Sequence, residues 1–278
     1  MRILRRILQA TIILSCLLFG VLQIAAAYAD DDEHGRTAGA VYNVAHFDVI
    51  PITLGGVDFL QEGYTFLFTY RNASHGDAGL DSFRVLNSVA PETNHSEIVE
   101  VWSSYDAYKN HLAQRHTIDF RFNVQGNPAL AGGICCVGSP IDDRQYSLVE
   151  SFNTPWPATP ITSVGPSGSL YVITYVEFLQ NGNVRAGKDA LIDYGAATSR
   201  INGGHVQSFS ILQQLDRPNR YAVLEIWDQQ ANYNAWQNDR VTQQFINQTR
   251  SLLGSPFDHR LTVLCGATYV DGTGCTPP

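Results

Sequence analysis

Basic side chains are scarce once the first 29 residues are set aside. The 278-residue chain has 18 Lys and Arg against 26 Asp and Glu. Three of the arginines, Arg2, Arg5 and Arg6, lie in that opening stretch, which holds no acid; the rest has 15 basic groups against 26 acidic, a net charge of −11. A surface that negative repels nucleic acid and anionic membranes, so neither is expected as a partner. After the opening stretch, no segment is apolar enough to span a bilayer. Other signatures are missing as well. No Gly-x-Gly-x-x-Gly follows a strand, no phosphate-cradling loop occurs, and no Cys-x-x-Cys-His offers haem attachment. There is no Cys-x-x-Cys, the vicinal pair Cys135-Cys136 is poor ligand spacing, and no two histidines stand i, i+4 on a helix. Sequence spacing therefore predicts no metal site.

What is there begins with a targeting signature. The three arginines precede an apolar run from Ile7 to Ala27, and Ala27-Tyr28-Ala29 supplies small residues at the −3 and −1 positions of a signal-peptidase site. Cleavage after Ala29 would place the mature chain outside the cytoplasm, secreted or periplasmic. An uncleaved N-terminal anchor is the competing reading, because the run is long for a signal peptide. In an oxidising compartment Cys135, Cys136, Cys265 and Cys275 are expected to form disulfides; four cysteines allow three pairings and spacing does not choose among them.

The remainder is organised by an internal repeat. Val41–Phe47 returns in character as Leu170–Val176, and Ser82-Phe83-Arg84-Val85-Leu86 returns as Ser208-Phe209-Ser210-Ile211-Leu212. Glu97–Trp102 returns as Ala222–Trp227, and Gly138–Arg144 as Gly254–Arg260. The Pro, Ser, Thr and Gly-rich stretch 153–168 reads as a linker between copies 38–152 and 169–266, with a tail over 267–278. In the second copy, alternation predicts strands at Leu170–Leu179, Val206–Gln213, Arg220–Trp227 and Leu261–Cys265. Helical spacing covers Val184–Ile201 and Ala231–Leu253. The first copy follows the same order, with a longer hairpin around Ala90–His95 and an insertion at Gln125–Cys136. This is the βαββαβ, ferredoxin-like α+β arrangement. Both helices lie on one face of a four-stranded sheet. The other face, carrying Phe83, Val85, Val99 or their neighbours, must be covered. The second copy is tethered in place to do so, which predicts two domains packed sheet to sheet as an intramolecular pseudo-dimer, monomeric overall.

Ser199-Arg200-Ile201-Asn202-Gly203, Leu212–Asn219, Glu225-Ile226-Trp227 and Leu253–Asp258 resemble the antibiotic-biosynthesis-monooxygenase (ABM) family, as do Glu100-Val101-Trp102 and Ala107–His116 in the first copy. The last segment is similar to the family's helix carrying two histidines; where Asn202 stands the family usually has Glu. The resemblance implies a dimeric α/β barrel. It also implies oxygenation by O₂ of a small aromatic substrate, an electron-rich phenol, quinol or anthrone-like ring, with no cofactor. Such chemistry needs a base to remove the substrate's acidic proton and a pocket that stabilises the anion while excluding water. Imidazole, with an ordinary pKa of about 6.5, suits that base. A non-catalytic binding or scaffold protein that kept the fold is the rival reading, and a haem-handling relative a further one.

His116 is the leading candidate base. Tyr108, Leu112, His116 and Phe120 recur every four residues, placing His116 on a sheet-facing helix stripe; a core histidine satisfied by a backbone carbonyl is the alternative. His111, five residues away and about 140° around one helix, is expected at a rim rather than in the same site. Glu100 and Trp102 project to one face by the period of two, where a carboxylate beside an indole should have a raised pKa and could serve as acid–base partner to a ring platform. For Glu225 and Trp227, packing with a salt bridge to an arginine such as Arg200 is the expectation. Asn43, His46 and Tyr64 could line the same cavity, with Tyr108 and His111 among the substrate contacts. Five of the eight histidines (His46, His75, His95, His111, His116) fall in the first copy, and Val241 replaces His116 in the second, so the working site is expected in the first.

Overall fold

The computed structural model describes residues 39–49, 53–54, 57–89, 95–125, 141–153, 169–180 and 182–264. The stretch read above as a targeting signal, the cysteines, residues 126–136 of the expected insertion, the expected linker beyond Asn153 and residues 267–278 lie outside these residues. The first half comprises β1 (Val41–Asp48), a small hairpin of β2 (Thr53–Leu54) and β3 (Val57–Asp58), and helix α1 (Phe59–Ser74). It continues with β4 (Leu80–Ser88), β5 (His95–Trp102), α2 (Tyr105–Leu112), α3 (Arg115–Gln125) and β6 (Asp142–Asn153). The second half comprises β7 (Leu170–Glu177), α4 (Asn183–Ile201), β8 (Val206–Gln214), β9 (Arg220–Trp227), α5 (Gln230–Gln237), α6 (Arg240–Thr249) and β10 (Asp258–Leu264).

Eight strands close into one antiparallel barrel in the order β1-β5-β4-β10-β7-β9-β8-β6. Within each half the spatial order is last, first, third, second strand, the ferredoxin-like order, and the two halves close one pseudo-dimeric α/β barrel. The halves do more than face one another. The last strand of each is hydrogen-bonded to the second strand of the other: β10 to β4 at Thr262↔Ser88 through Leu264↔Leu86, and β6 to β8 at Tyr146↔Gln214 through Asn153↔Ser208. Closure leaves no exposed strand edge in the barrel.

Strands β1, β4, β5, β7, β8 and β9 are covered on both faces and buried almost continuously, whereas β6 and β10 are partly exposed. Tyr42, Val44, Leu86, Val99, Tyr171, Ile173, Leu212 and Leu224 belong to the core inside the barrel. Val41, Phe47, Phe83, Val85 and Trp102 pack under the helices of the first half, and Leu170, Phe209, Tyr221 and Trp227 under those of the second. Phe83 and Val85 thus correct the expectation for the covered face: they point to the helices, and their neighbours Arg84 and Leu86 point into the barrel. Alternation identifies two faces but not which is which, and a bulge between Leu80 and Ser82 shifts the register at the strand's start.

Each predicted second helix is two helices. In the first half the Ala113 N–H turns to the carbonyl of Asn110 and the Gln114 N–H to that of His111, ending α2 before α3 starts at Arg115. In the second half the Asn238 N–H turns to Ala235 and the Asp239 N–H to Trp236, and the Asp239 side chain then accepts from Val241 N–H as the cap of α6.

Candidate functional site

The first half carries a line of bonded polar side chains between its sheet and its helices. Glu100 on β5 is buried against α1 and α2. Its Oε2 accepts from Trp102 Nε1 (3.0 Å) and Asn43 Nδ2 (3.2 Å), and its Oε1 from the Tyr70 hydroxyl of α1 (3.0 Å). The Tyr70 oxygen lies 2.6 Å from His111 Nε2, and His111 Nδ1 lies 2.6 Å from Asp77 Oδ2. That same oxygen is 3.0 Å from His116 Nε2. Trp102 stacks at a tilt on His111 with ring centroids 4.5 Å apart, and Tyr70 stacks on Phe120 at 4.3 Å. From the inner end, Tyr108 donates to Asn43 Oδ1 (3.3 Å) and lies 3.5 Å from Asp143 Oδ2, Gln145 Nε2 reaches the Tyr108 hydroxyl (3.0 Å), and Arg121 is ion-paired with Asp143. Asp143 Oδ1 is buried and has no partner among the described residues.

Burial pushes Glu100 up to about 7, and Asp143 adds to this; the bonds from Trp102, Tyr70 and Asn43 oppose it. Burial holds His111 below the usual imidazole range, against the pull of Asp77. Tyr70 has one hydroxyl proton. Donated to Glu100, it leaves His111 Nε2–H to donate to the Tyr70 oxygen; donated to His111, it leaves a protonated Glu100 to donate to Tyr70. One hydroxyl can therefore pass a proton between the two groups. The line is dry at the His111 end, whose side chain is 0% exposed, and opens at Asp77 and His116, which are 13% and 22% exposed.

His111 is thus a correction. It is buried at the centre of the line, and it shares Asp77 with His116 at a ring separation of 5.5 Å. The 140° separation assumed one continuous helix, whereas the break at Ala113 turns α3 so that both rings meet. His46 is a second correction: one residue out of phase with Asn43 on β1, it faces the barrel and bonds Glu97 there. Tyr64 is a third. Its hydroxyl donates to Asn87 (2.6 Å) and contacts Ser96 (3.2 Å) farther along β4 and β5, while Tyr70 joins the line. Asp77 and Tyr70 were missed. Asp77 sits in the turn before β4, held by Gly79 at φ 86°, where an added Cβ would lie 2.6 Å from the Cβ of Ala107. Tyr70 had a signal: Tyr70…Ser74 and Tyr194…Thr198 repeat, each hydroxyl residue bonding the tyrosine carbonyl four back.

The second half keeps the frame and loses the line. Val41 opposes Trp102 as Leu170 opposes Trp227, so the positions of Asn43, His111, His116 and Arg121 are held by Val172, Trp236, Val241 and Ile246. Tyr194 stacks on Phe245 (4.3 Å) and accepts from Trp236 Nε1 (3.0 Å). Glu225 accepts from Trp227 (2.6 Å), and burial pushes it up to about 7. Arg200 is exposed and Glu225 fully enclosed, so the salt bridge expected between them is replaced by the indole bond. A cleft of about 370 Å³, counting its open mouth, lies here, lined by Thr174, Leu191, Tyr194, Glu225, Phe245 and His259 among others. Its enclosed part has room for about one water.

Among the described residues, two groups bring metal-ligating atoms together, within 4.8 Å of one another: Asp77, His111 and His116, and, on the barrel side, His46, Asp48 and His95. Neither uses a helical i, i+4 pair, so spacing alone could not show them.

No family model and no curated protein matches the sequence. Solved structures do match the fold. A candidate monooxygenase from Fusobacterium nucleatum superposes with a TM-score of 0.60 at 15% identity, covering 82% of this chain and 93% of its own. An anthrone oxidase-like protein gives 0.58 at 12% identity, over 82% and 92%. A candidate monooxygenase from Lactobacillus acidophilus gives 0.55 at 12%, over 81% and 94%. At these identities the likeness is one of fold.

Proposed function

We propose that the chain is an exported, cofactor-independent monooxygenase that oxidises an electron-rich phenol, quinol or anthrone-like ring with O₂, working in its first half. The observation that carries the reading is the line Glu100–Tyr70–His111–Asp77–His116, assembled in one half and absent from its repeat. At the open end, His116, oriented by Asp77, takes the acidic proton of the substrate. His111 and Tyr70 pass charge inward to Glu100, whose carboxyl titrates near neutrality. The substrate anion gives electrons to O₂. For a ring methylene, one oxygen atom replaces two hydrogens as a carbonyl, and the other leaves as water with those hydrogens. Trp102, Asn43 and Tyr108 hold Glu100 and the inner wall in place.

Oxygen uptake by the purified mature protein with a panel of quinols and anthrones tests this. His116→Ala and Tyr70→Phe should each lower the rate by about 100-fold or more, the scale of a lost acid–base group. Uptake unchanged in both variants would rule the line out. The open mouth of the cleft around Glu225 favours a second reading, a binding protein that holds a small aromatic ligand against that mouth in the second half. No oxygen uptake with any ring, together with ligand quenching of tryptophan fluorescence abolished by Glu225→Ala, would select it.

A further inference from the structure

We propose that His46, Asp48 and His95 form a binding site for a divalent transition-metal ion, zinc being the fitting probe, at one end of the barrel. His46 and Asp48 are two apart on β1 and project to one face; His95 on β5 stands directly opposite Asp48 in the ladder. Three ligands therefore sit on two adjacent strands of a closed sheet, a rigid mount with little freedom to lose on binding. His46 Nε2 lies 3.1 Å from Asp48 Oδ1, and His95 Nδ1 contacts the same oxygen. The three ligand atoms lie within 4.8 Å of one another, close enough to gather around one ion with bonds of about 2 Å. The three side chains are 18%, 32% and 35% exposed, enough for an ion to enter and for water to complete its shell.

The surrounding bonds fit a metal. His46 Nδ1 lies 2.8 Å from Glu97 Oε1, and Glu97 is buried and anchored by Arg260 (2.7 Å). That is the carboxylate–histidine arrangement that aims the other ring nitrogen at a metal. A neutral imidazole has one N–H, yet both nitrogens of His46 face carboxylate oxygens. A cation between Nε2 and Asp48 gives the second nitrogen its partner. Among the described residues around the group, Asp48, Glu97, Asp142 and Asp258 outnumber the guanidiniums of Arg144 and Arg260, which are ion-paired with Asp142, Glu97 and Asp258. The excess of negative charge favours a dication.

The repeat supplies a control inside the same molecule. At the positions of Asp48 and His95 the second half has Glu177 and Arg220, joined in an ordinary ion pair at 3.2 Å, and Tyr175 and Ala222 replace His46 and Glu97. One half closes this corner with a fixed salt bridge; the other presents two imidazoles and a carboxylate whose ligand atoms lie within 4.8 Å of one another.

The test is a titration of the untagged chain with zinc alone, followed by calorimetry and by NMR of the histidine side chains. One equivalent should bind, with the His46 and His95 ring resonances shifting and those of His111 and His116 unmoved. His46→Gln with His95→Gln should weaken zinc binding by about 100-fold or more, while Glu97→Gln, acting through His46, should weaken it by about 10-fold. The ligands are partly exposed, so the double variant should unfold at the parent's temperature without zinc. Zinc that leaves both resonances in place, or binds the double variant as tightly as the parent, overturns the proposal. So does binding lost in His116→Gln instead.

Discussion

Glu100 and Glu225 occupy equivalent positions and share a physical condition, a carboxyl enclosed between sheet and helices beside an indole. Burial raises both to about 7. A carboxyl that binds its proton more tightly when folded contributes stability below its ordinary value of 4.5, and that contribution is lost as pH rises from there through about 7. Among the described residues Glu225 bonds the Trp227 indole alone, so Glu225→Gln, which can still accept from Trp227, should remove the decline. The difference in unfolding free energy between pH 5 and pH 8 should shrink by roughly 3 kcal/mol in urea titrations. An undiminished difference would mean that Glu225 is ionised in the fold. Tyr70→Phe keeps the stack on Phe120 and deletes the hydroxyl between Glu100 and His111. With both groups left short of a partner, it should cost about 1–3 kcal/mol in the same titration. A neutral effect would show that the line is not closed. Pairing of Glu100 with Trp102 was legible from the two-residue period. The link to Tyr70 was not, since it joins residues 30 apart across a helix and a strand.

Helix α4 shows how one element is seated by what it lacks. Its buried stripe is Gly187, Leu191, Tyr194, Gly195 and Thr198, the spacing of a face laid on a sheet. At Gly195 a Cβ would stand 2.6 Å from the ring of Phe152 and 2.8 Å from that of Phe209. Alanine is the better helix former by about 1 kcal/mol, yet Gly195→Ala should destabilise by about 1–3 kcal/mol in equilibrium unfolding, because the helix must lift from fully packed rings. A gain in stability would show that the helix rides higher than its contacts indicate. Periodicity also misled at this scale. Tyr108, Leu112, His116 and Phe120 keep a four-residue spacing across two helices, because the chain turns at Ala113 within the tolerance of the pattern.

At the scale of the whole molecule, hydrogen-bonded closure at β4–β10 and β6–β8 makes each half depend on the other for an edge. We expect a monomer that unfolds in one transition, with far-ultraviolet circular dichroism and tryptophan fluorescence superimposing. Trp102 reports the first half and Trp227 and Trp236 the second. Two separated transitions would show that the halves are independent domains joined by a tether.

The repeat, the order of strands and helices, the class of fold and the concentration of histidines in one half are properties of pattern, and the sequence determined them alone. Local periodicity is enough for these, since each depends on neighbours within a turn or a strand. Which sheet face meets the barrel, that His111 and His116 converge on Asp77, and that His46 turns away to meet Asp48 and His95 were decided by tertiary structure. Those outcomes depend on helix breaks, bulges and strand register, where a shift of one residue reverses a side chain's direction.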